Sequence, residues 1–264
     1  MSISSVDGLV AAVSQLIQWN KNTTRTTTGN AWFSMIDVAG NPGAGTISGL
    51  AQTNGALVTD STGGHPPINA FGGGATGYLS AVEFGSTVAC RFMLVDVLAR
   101  YGSFNYNANS SGLTGVDVSG RIVGSSYAGT QIWYENATAI TTNQSLAVTY
   151  VKEDGTTGRS TGTVAFGTAP TKGRLIQMPL AAGDLGVQKI TGVTSTGATA
   201  GTFNVLHVRP LWTGRVVVGN AGDAHPWDRI GFPQVFDTSA LEVFINPDST
   251  DTGIPELMFN IVNG

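Results

Sequence analysis

The densest group of side chains able to do chemistry is Asp223, His225 and Asp228, within Gly222-Asp223-Ala224-His225-Pro226-Trp227-Asp228. Two carboxylates and an imidazole could hold a metal ion or pass a proton. Their spacing fits no pair of ligands on one helix and no further acid adjoins them, whereas Asp and His beside Pro and Gly commonly cap loops. His65, ahead of Pro66-Pro67, and His207, between Leu206 and Val208, read as structural. The single Cys90 lies in the apolar run Val88-Ala89-Cys90-Arg91-Phe92-Met93-Leu94. It reads as a buried, inert thiol and rules out an intrachain disulfide framework.

A serine nucleophile would need Gly-x-Ser-x-Gly on a strand-turn-helix elbow. Gly124-Ser125-Ser126-Tyr127-Ala128-Gly129 is one residue out, and no helix pattern follows it. No Gly-x-x-x-x-Gly-Lys-Ser/Thr occurs, and Gly72-Gly73-Gly74 lacks the strand and helix of a dinucleotide fingerprint. Paired carboxylates for glycoside cleavage would meet only in the fold. Trp133, Tyr134, Trp212 and Trp227 could line a sugar-binding face or fill a sandwich core. The expectation is a non-enzymatic protein without catalytic, cofactor-binding or metal residues and without a cofactor.

The elements that would position these residues are mostly strands. Val116, Val118, Arg121–Val123, Gln131–Glu135 and Leu146–Val151 are β-branched or aromatic runs between Gly, Ser and Asn. Asp154-Gly155 predicts a hairpin joining Leu146–Val151 to Thr163–Phe166. Further strands are predicted at Arg174–Met178, Gly186–Val193, Gly201–Arg209, Thr213–Val218, Leu241–Ile245 and Leu257–Val262. Segment 78–100, the most apolar, predicts a strand buried on both faces. Turns about every 8–12 residues predict a mainly β chain, an antiparallel β-sandwich of the jelly-roll or immunoglobulin-like kind, as one sandwich or two. Val6, Leu9, Val10, Val13, Leu16 and Ile17 fall at helical spacing, so a short N-terminal helix is predicted over 5–19, with Ser4 or Ser5 as N-cap. Its stripe Leu9, Val13, Leu16 and Ile17 either docks on another subunit or closes its own sandwich. The domain reading is 1–21 as helix or arm, 22–140 as a β-rich unit and 141–264 as a β-sandwich, unless the whole is one domain.

Of 264 residues, 41% are hydrophobic and only 11% are charged, against about 25% in ordinary soluble domains. Mean hydropathy is +0.11, enough for a core. Thr, Ser, Asn and Gln must carry the surface, and such side chains cost less to desolvate than charges, which suits burial against a neighbouring copy. A homo-oligomer, such as a trimer, is expected. The formal charge of −4 offers no footprint for phosphate backbones, so no nucleic acid partner is expected. No apolar run of 18 or more residues predicts a membrane span, and Met1–Gly8 does not read as a signal peptide. Synthesis in a host cytoplasm follows.

The opening Met1-Ser2-Ile3-Ser4-Ser5-Val6-Asp7-Gly8-Leu9-Val10, the segments Gly186-Val187-Gln188-Lys189-Ile190 and Gly201-Thr202-Phe203-Asn204-Val205, and the ending Leu257-Met258-Phe259-Asn260-Ile261 resemble head-region proteins of tailed phages and prophages. The resemblance is one of style, Gly/Thr/Ala-rich β-sequence behind a short apolar helix, without a diagnostic motif. It implies a capsid decoration or cement subunit in the virion, with copies of itself and the major capsid protein as partners. A tail or receptor-binding, carbohydrate-binding role is the alternative.

Overall fold

The computed structural model describes residues 3, 5–107, 110–140, 142–166, 171–196 and 200–264. It opens with a helix, α1 (Val6–Ala11), and a strand, β1 (Val13–Lys21). Three short strands follow, β2 (Trp32–Ser34), β3 (Gly40–Asn41) and β4 (Gln52–Leu57), then the long pair β5 (Gly77–Ser86) and β6 (Cys90–Asn105). The middle of the chain forms β7 (Ser110–Ser111), β8 (Gln131–Asn136), β9 (Gln144–Lys152), β10 (Arg159–Ser160), β11 (Val164–Phe166), β12 (Arg174–Met178) and β13 (Val187–Thr196). Last come β14 (Thr202–Val216), β15 (Ala221–His225), the one-turn helix α2 (Trp227–Ile230), β16 (Gln234–Val235), β17 (Leu241–Pro247) and β18 (Pro255–Asn263).

These strands make three antiparallel layers. In the middle, β14, β8, β12, β2, β17 and β6 follow one another in hydrogen-bonded order, and β14 pairs with β6, closing a six-stranded ring with β4 added along β6. One flank is the sheet β15-β5-β18-β1-β3, with β16 also on β5; the other is β10-β9-β13-β7, with β11 also on β9. Strand alternation sends successive side chains of the ring to opposite sides. In β17, Leu241, Val243 and Ile245 pack outward with Phe84, Trp19, Leu257 and Phe259 of the first flank. Phe244 points inward with Trp133, Val95, Leu175 and Leu206. Trp133 and Phe244 meet at 5.2 Å between ring centroids although β8 and β17 are not neighbours, so the two residues face each other across the ring. On the far side, Tyr134 and Phe203 pack against Val148, Tyr150 and Ile190. The predicted sandwich packing therefore occurs twice, against the two walls of a barrel that local patterning does not announce.

The helix is shorter than predicted. It ends at Ala11, with Ser5 as N-cap accepting from the Gly8 amide, while Ser4 lies outside the described residues. Residues 13–21 form a strand instead, with Ile17, Trp19 and Lys21 buried and Leu16 and Gln18 exposed. The reason is tertiary: eight consecutive residues, Val13–Asn20, pair with Glu256–Asn263 of β18, and that ladder outweighs a helical period only weakly supported by propensity. Segment 78–100 divides into β5 and β6, turning at 87–89. Gly201–Arg209 and Thr213–Val218 join as the single strand β14, its irregularity at Pro210–Trp212 absorbed by a register shift. Residues 119–125 form two short 3-10 turns rather than strand. The predicted hairpin pairing holds, with Val164 opposite Leu146 and the turn tightened by the Gly155 amide donating to the Lys152 carbonyl.

Candidate interaction grooves

Two ionic clusters lie in and around the barrel wall. The Asp96 carboxylate, fully buried, accepts from Arg121 (2.8 Å), Arg209 (3.1 Å), the Ser239 hydroxyl (2.8 Å) and the Ala240 amide (3.0 Å). Arg121 also donates to the Val97, Leu98 and Thr238 carbonyls. In the second cluster, Arg100 stands between two buried carboxylates, 3.4 Å from Glu242 and 3.8 Å from Glu135. The Ser34 hydroxyl donates to Glu242 at 2.6 Å, Asn204 donates to Glu135 at 2.8 Å, and His65 Nε2 lies 3.7 Å from Glu242. Burial pushes the Glu135 carboxyl above its ordinary range. Burial acts on Glu242 the same way, but the His65 contact and the Arg100 guanidinium outweigh it and hold that group below its ordinary range. Apart from the partly exposed Arg209, the charged groups of both clusters are buried among the ring's own strands.

Of the predicted trio, the structure joins two. His225 Nδ1 accepts from Trp212 Nε1 at 2.9 Å, and its Nε2 is 3.5 Å from Asp223, which also meets Arg229 at 3.6 Å. Phe84 packs edge-on against the imidazole. Burial, then Arg229, lower the His225 pKa, so the ring is neutral near pH 7. Asp228 sits exposed on α2, in no ion pair among the described residues. No group of three or more His, Cys, Asp or Glu arranged for a metal occurs among the described residues. Cys90 is buried, its thiol pushed up to about 11 chiefly by burial.

His207 is fully buried on β14, and burial lowers its pKa to about 4. Because the folded value lies below the unfolded one, the neutral ring contributes stability above about pH 6.5, and that contribution is lost as pH falls toward 4. The drop corresponds to about 3 kcal/mol. We expect urea midpoints to fall between pH 6.5 and 4 in the wild type and to fall distinctly less in His207→Gln; equal slopes for the two proteins would refute this.

The open concavities lie around β15, an edge strand whose residues Ala221–Ala224 are all exposed. On one face is a groove of about 760 Å³ lined by Glu83, Gly85, Gly222, Ala224, Glu256 and Met258, among others. Its floor follows from the register: Gly85 lies directly opposite Gly222, and Glu83 opposite Ala224. A Cβ at Gly222 would stand 2.9 Å from the Phe84 carbonyl oxygen. On the other face, where alternation sends Asp223 and His225, a groove of about 480 Å³ gathers Arg91, Arg215 and Arg229 around Trp32, Thr213 and Gly214. A side chain at 214 would collide with the Trp212 ring. Arg91 and Arg215 stand far apart in sequence and meet because β6 pairs with β14, and α2 adds Arg229, so residue-by-residue reading misses them.

The predicted interface stripe is dispersed. Ile17 enters the core, Leu9 is half-buried, and Val13 and Leu16 are both 68% exposed. Alternation places Leu16 on the outer face of the first flank, opposite Asn260. Of the aromatic candidates, Trp133, Tyr134 and Trp212 are buried, and Trp227 is 43% exposed.

No family model and no curated protein sequence matches the chain. Among solved structures it is similar to a mutant VP2 protein of infectious bursal disease virus from derived T=1 particles, at 10% identity over 96% of this chain and 77% of that one, with a TM-score of 0.19. The structure of the infectious bursal disease virus Gx strain gives 10% identity, 96% and 80% coverage and a TM-score of 0.16. A VP2 subviral particle of the same virus gives 9% identity, 96% and 79% coverage and a TM-score of 0.18. Superpositions of that extent establish no common fold.

Proposed function

We propose that this chain is a non-enzymatic structural subunit of a virus particle, and within that class a decoration or cement subunit of a tailed-phage head, bound to copies of itself and to the major capsid protein lattice. The observation that carries this reading is where the charge lies. The most concentrated ionic groups are sealed in and around the barrel, whereas the open grooves flank an exposed edge strand that a macromolecular partner can reach. The low charge content and the sequence resemblance to phage head proteins point the same way. Cosedimentation of the purified protein with assembled heads, and lower thermal stability of heads lacking it, are the expected results. Recovery on purified tails alone would replace this reading with the second one, a carbohydrate-binding tail protein. That alternative draws support from Trp227, exposed and stacked on Phe232 at 5.8 Å as a sugar platform would be. Glycan-array binding that Trp227→Ala abolishes would support the second reading.

A further inference from the structure

Two cross-strand pairs beside β15 break the ordinary rules of sheet composition. Gly85 faces Gly222, which removes side-chain packing from both strands and bares the backbone. Arg91 faces Arg215 across β6 and β14, and like charges directly opposite one another destabilise a sheet. A subunit that acts alone gains nothing from either. Local rules broken without internal compensation mark surfaces shaped for something else.

The two departures have opposite sign. The glycine-floored groove carries Glu83 and Glu256 and no Lys or Arg, with exposed Met258 and Ile254 as its apolar part, while Asp223 at its rim pairs with Arg229 and His225 on the other face. The other groove carries Arg91, Arg215 and Arg229, with Trp32 as its apolar wall. Its internal ion pairs are exposed and long: Arg215 to Asp248 at 3.5 Å, Arg229 to Asp223 at 3.6 Å. Arg91 has no ion-pair partner among the described residues. Such pairs contribute little and leave the guanidinium groups available. Because the grooves open on opposite faces of one edge strand, a single copy can engage two neighbours, one through each.

We propose that the occupant of each groove is a second copy of this chain, the acidic, glycine-floored groove of one seated against the arginine groove of the next. This rests on the reading of the chain as a self-associating subunit and names the surface involved. The contact is heterologous, the kind that closes into rings or extends into lattices. Electrostatic complementarity sets its register, and the apolar parts are dried in the contact.

The test uses the full chain and two charge-reversed variants, Arg91→Glu/Arg229→Glu and Glu83→Arg/Glu256→Arg. All four positions are exposed, so folded variants with near wild-type melts are expected. By sedimentation velocity the wild type should self-associate, with an apparent Kd that rises about tenfold or more from about 0.1 M to about 1 M salt, as the screening length shortens from about 10 Å to about 3 Å. Each variant alone should stay monomeric, since its two grooves now share one sign. An equimolar mixture should associate again. A wild type monomeric at every concentration and salt, or variants that each assemble as the wild type does, would overturn the proposal. The salt response of the wild type decides the matter if a variant fails to fold. Head binding by a wild type whose variants assemble unimpaired would refute these grooves and leave the subunit reading standing; salt-sensitive assembly without head binding would do the reverse.

Discussion

Asp96→Ala should cost about 3–5 kcal/mol of folding free energy, because it leaves the buried Arg121 guanidinium and the partly buried Arg209 guanidinium facing an empty site. Arg121 and Arg209 both point at this carboxylate, and the Ser239 hydroxyl and Ala240 amide lose their acceptor with it. Urea unfolding should show a lower midpoint with an unchanged slope, the signature of lost stability rather than altered compactness. Asp96→Asn keeps an acceptor but not the charge and should fall between the two. Replacing Asp96, Arg121 and Arg209 together with apolar residues of similar volume should recover much of the loss, since a buried ion cluster is often no stronger than a packed apolar one. A single Asp96→Ala change of under about 1 kcal/mol would mean that water reaches the arginines in the folded protein.

The second large effect is an asymmetry between two glutamates that look equivalent. Glu135→Gln imitates the neutral form that burial favours and should cost less than the loss of the second carboxylate. Glu242→Gln removes the ionised partner of Arg100 and should cost about 3–5 kcal/mol. The pH signs differ too. Glu135, raised in the folded state, contributes stability while protonated and loses it as pH climbs through its folded value; Glu242, lowered, contributes above the ordinary carboxylate range and loses it as pH falls. Glu135→Gln should therefore remove a loss of stability with rising pH, and Glu242→Gln a loss with falling pH. Equal losses in the two variants, read from thermal melts across pH 4–9, would show that the fold does not set the two carboxyls apart.

Several elements were legible because their signal is local. Arg174–Met178 matches β12 to the residue, and the Asp154-Gly155 turn and the Leu146/Val164 pairing follow from turn chemistry and alternation. Val13, Leu16 and Ile17 continue the helical spacing of Val6, Leu9 and Val10, and only the pairing of Val13–Asn20 with a partner strand ending at Asn263 turns them into strand. The ring escaped notice because Pro210 interrupts the alternation of β14, so one long strand reads as two and the closure through β6 disappears. Asp96, Glu135 and Glu242 had a readable sign: Asp96 and Glu242 are lone carboxylates inside the apolar runs Leu94–Leu98 and Leu241–Ile245, and Glu135 directly follows the run Ile132–Tyr134. A charge on a strand buried on both faces must find a buried partner. Which arginine it finds depends on the fold.

The order in which the barrel staves occur along the chain bears on how the protein is made. β2 is held by β17, with Ser34 opposite Phe244, and β1 is held by β18. Neither pairing can form while residues 241–263 are still inside the ribosome. Until then β1 lacks its long ladder and the ring stays open between β2 and β6, and such long-range closure is slow. The same ordering bears on the glycine-floored groove: β5, which supports β15 and one wall of that groove, is clasped by β18 on its other side, so the groove is complete only after β18 has joined the sheet.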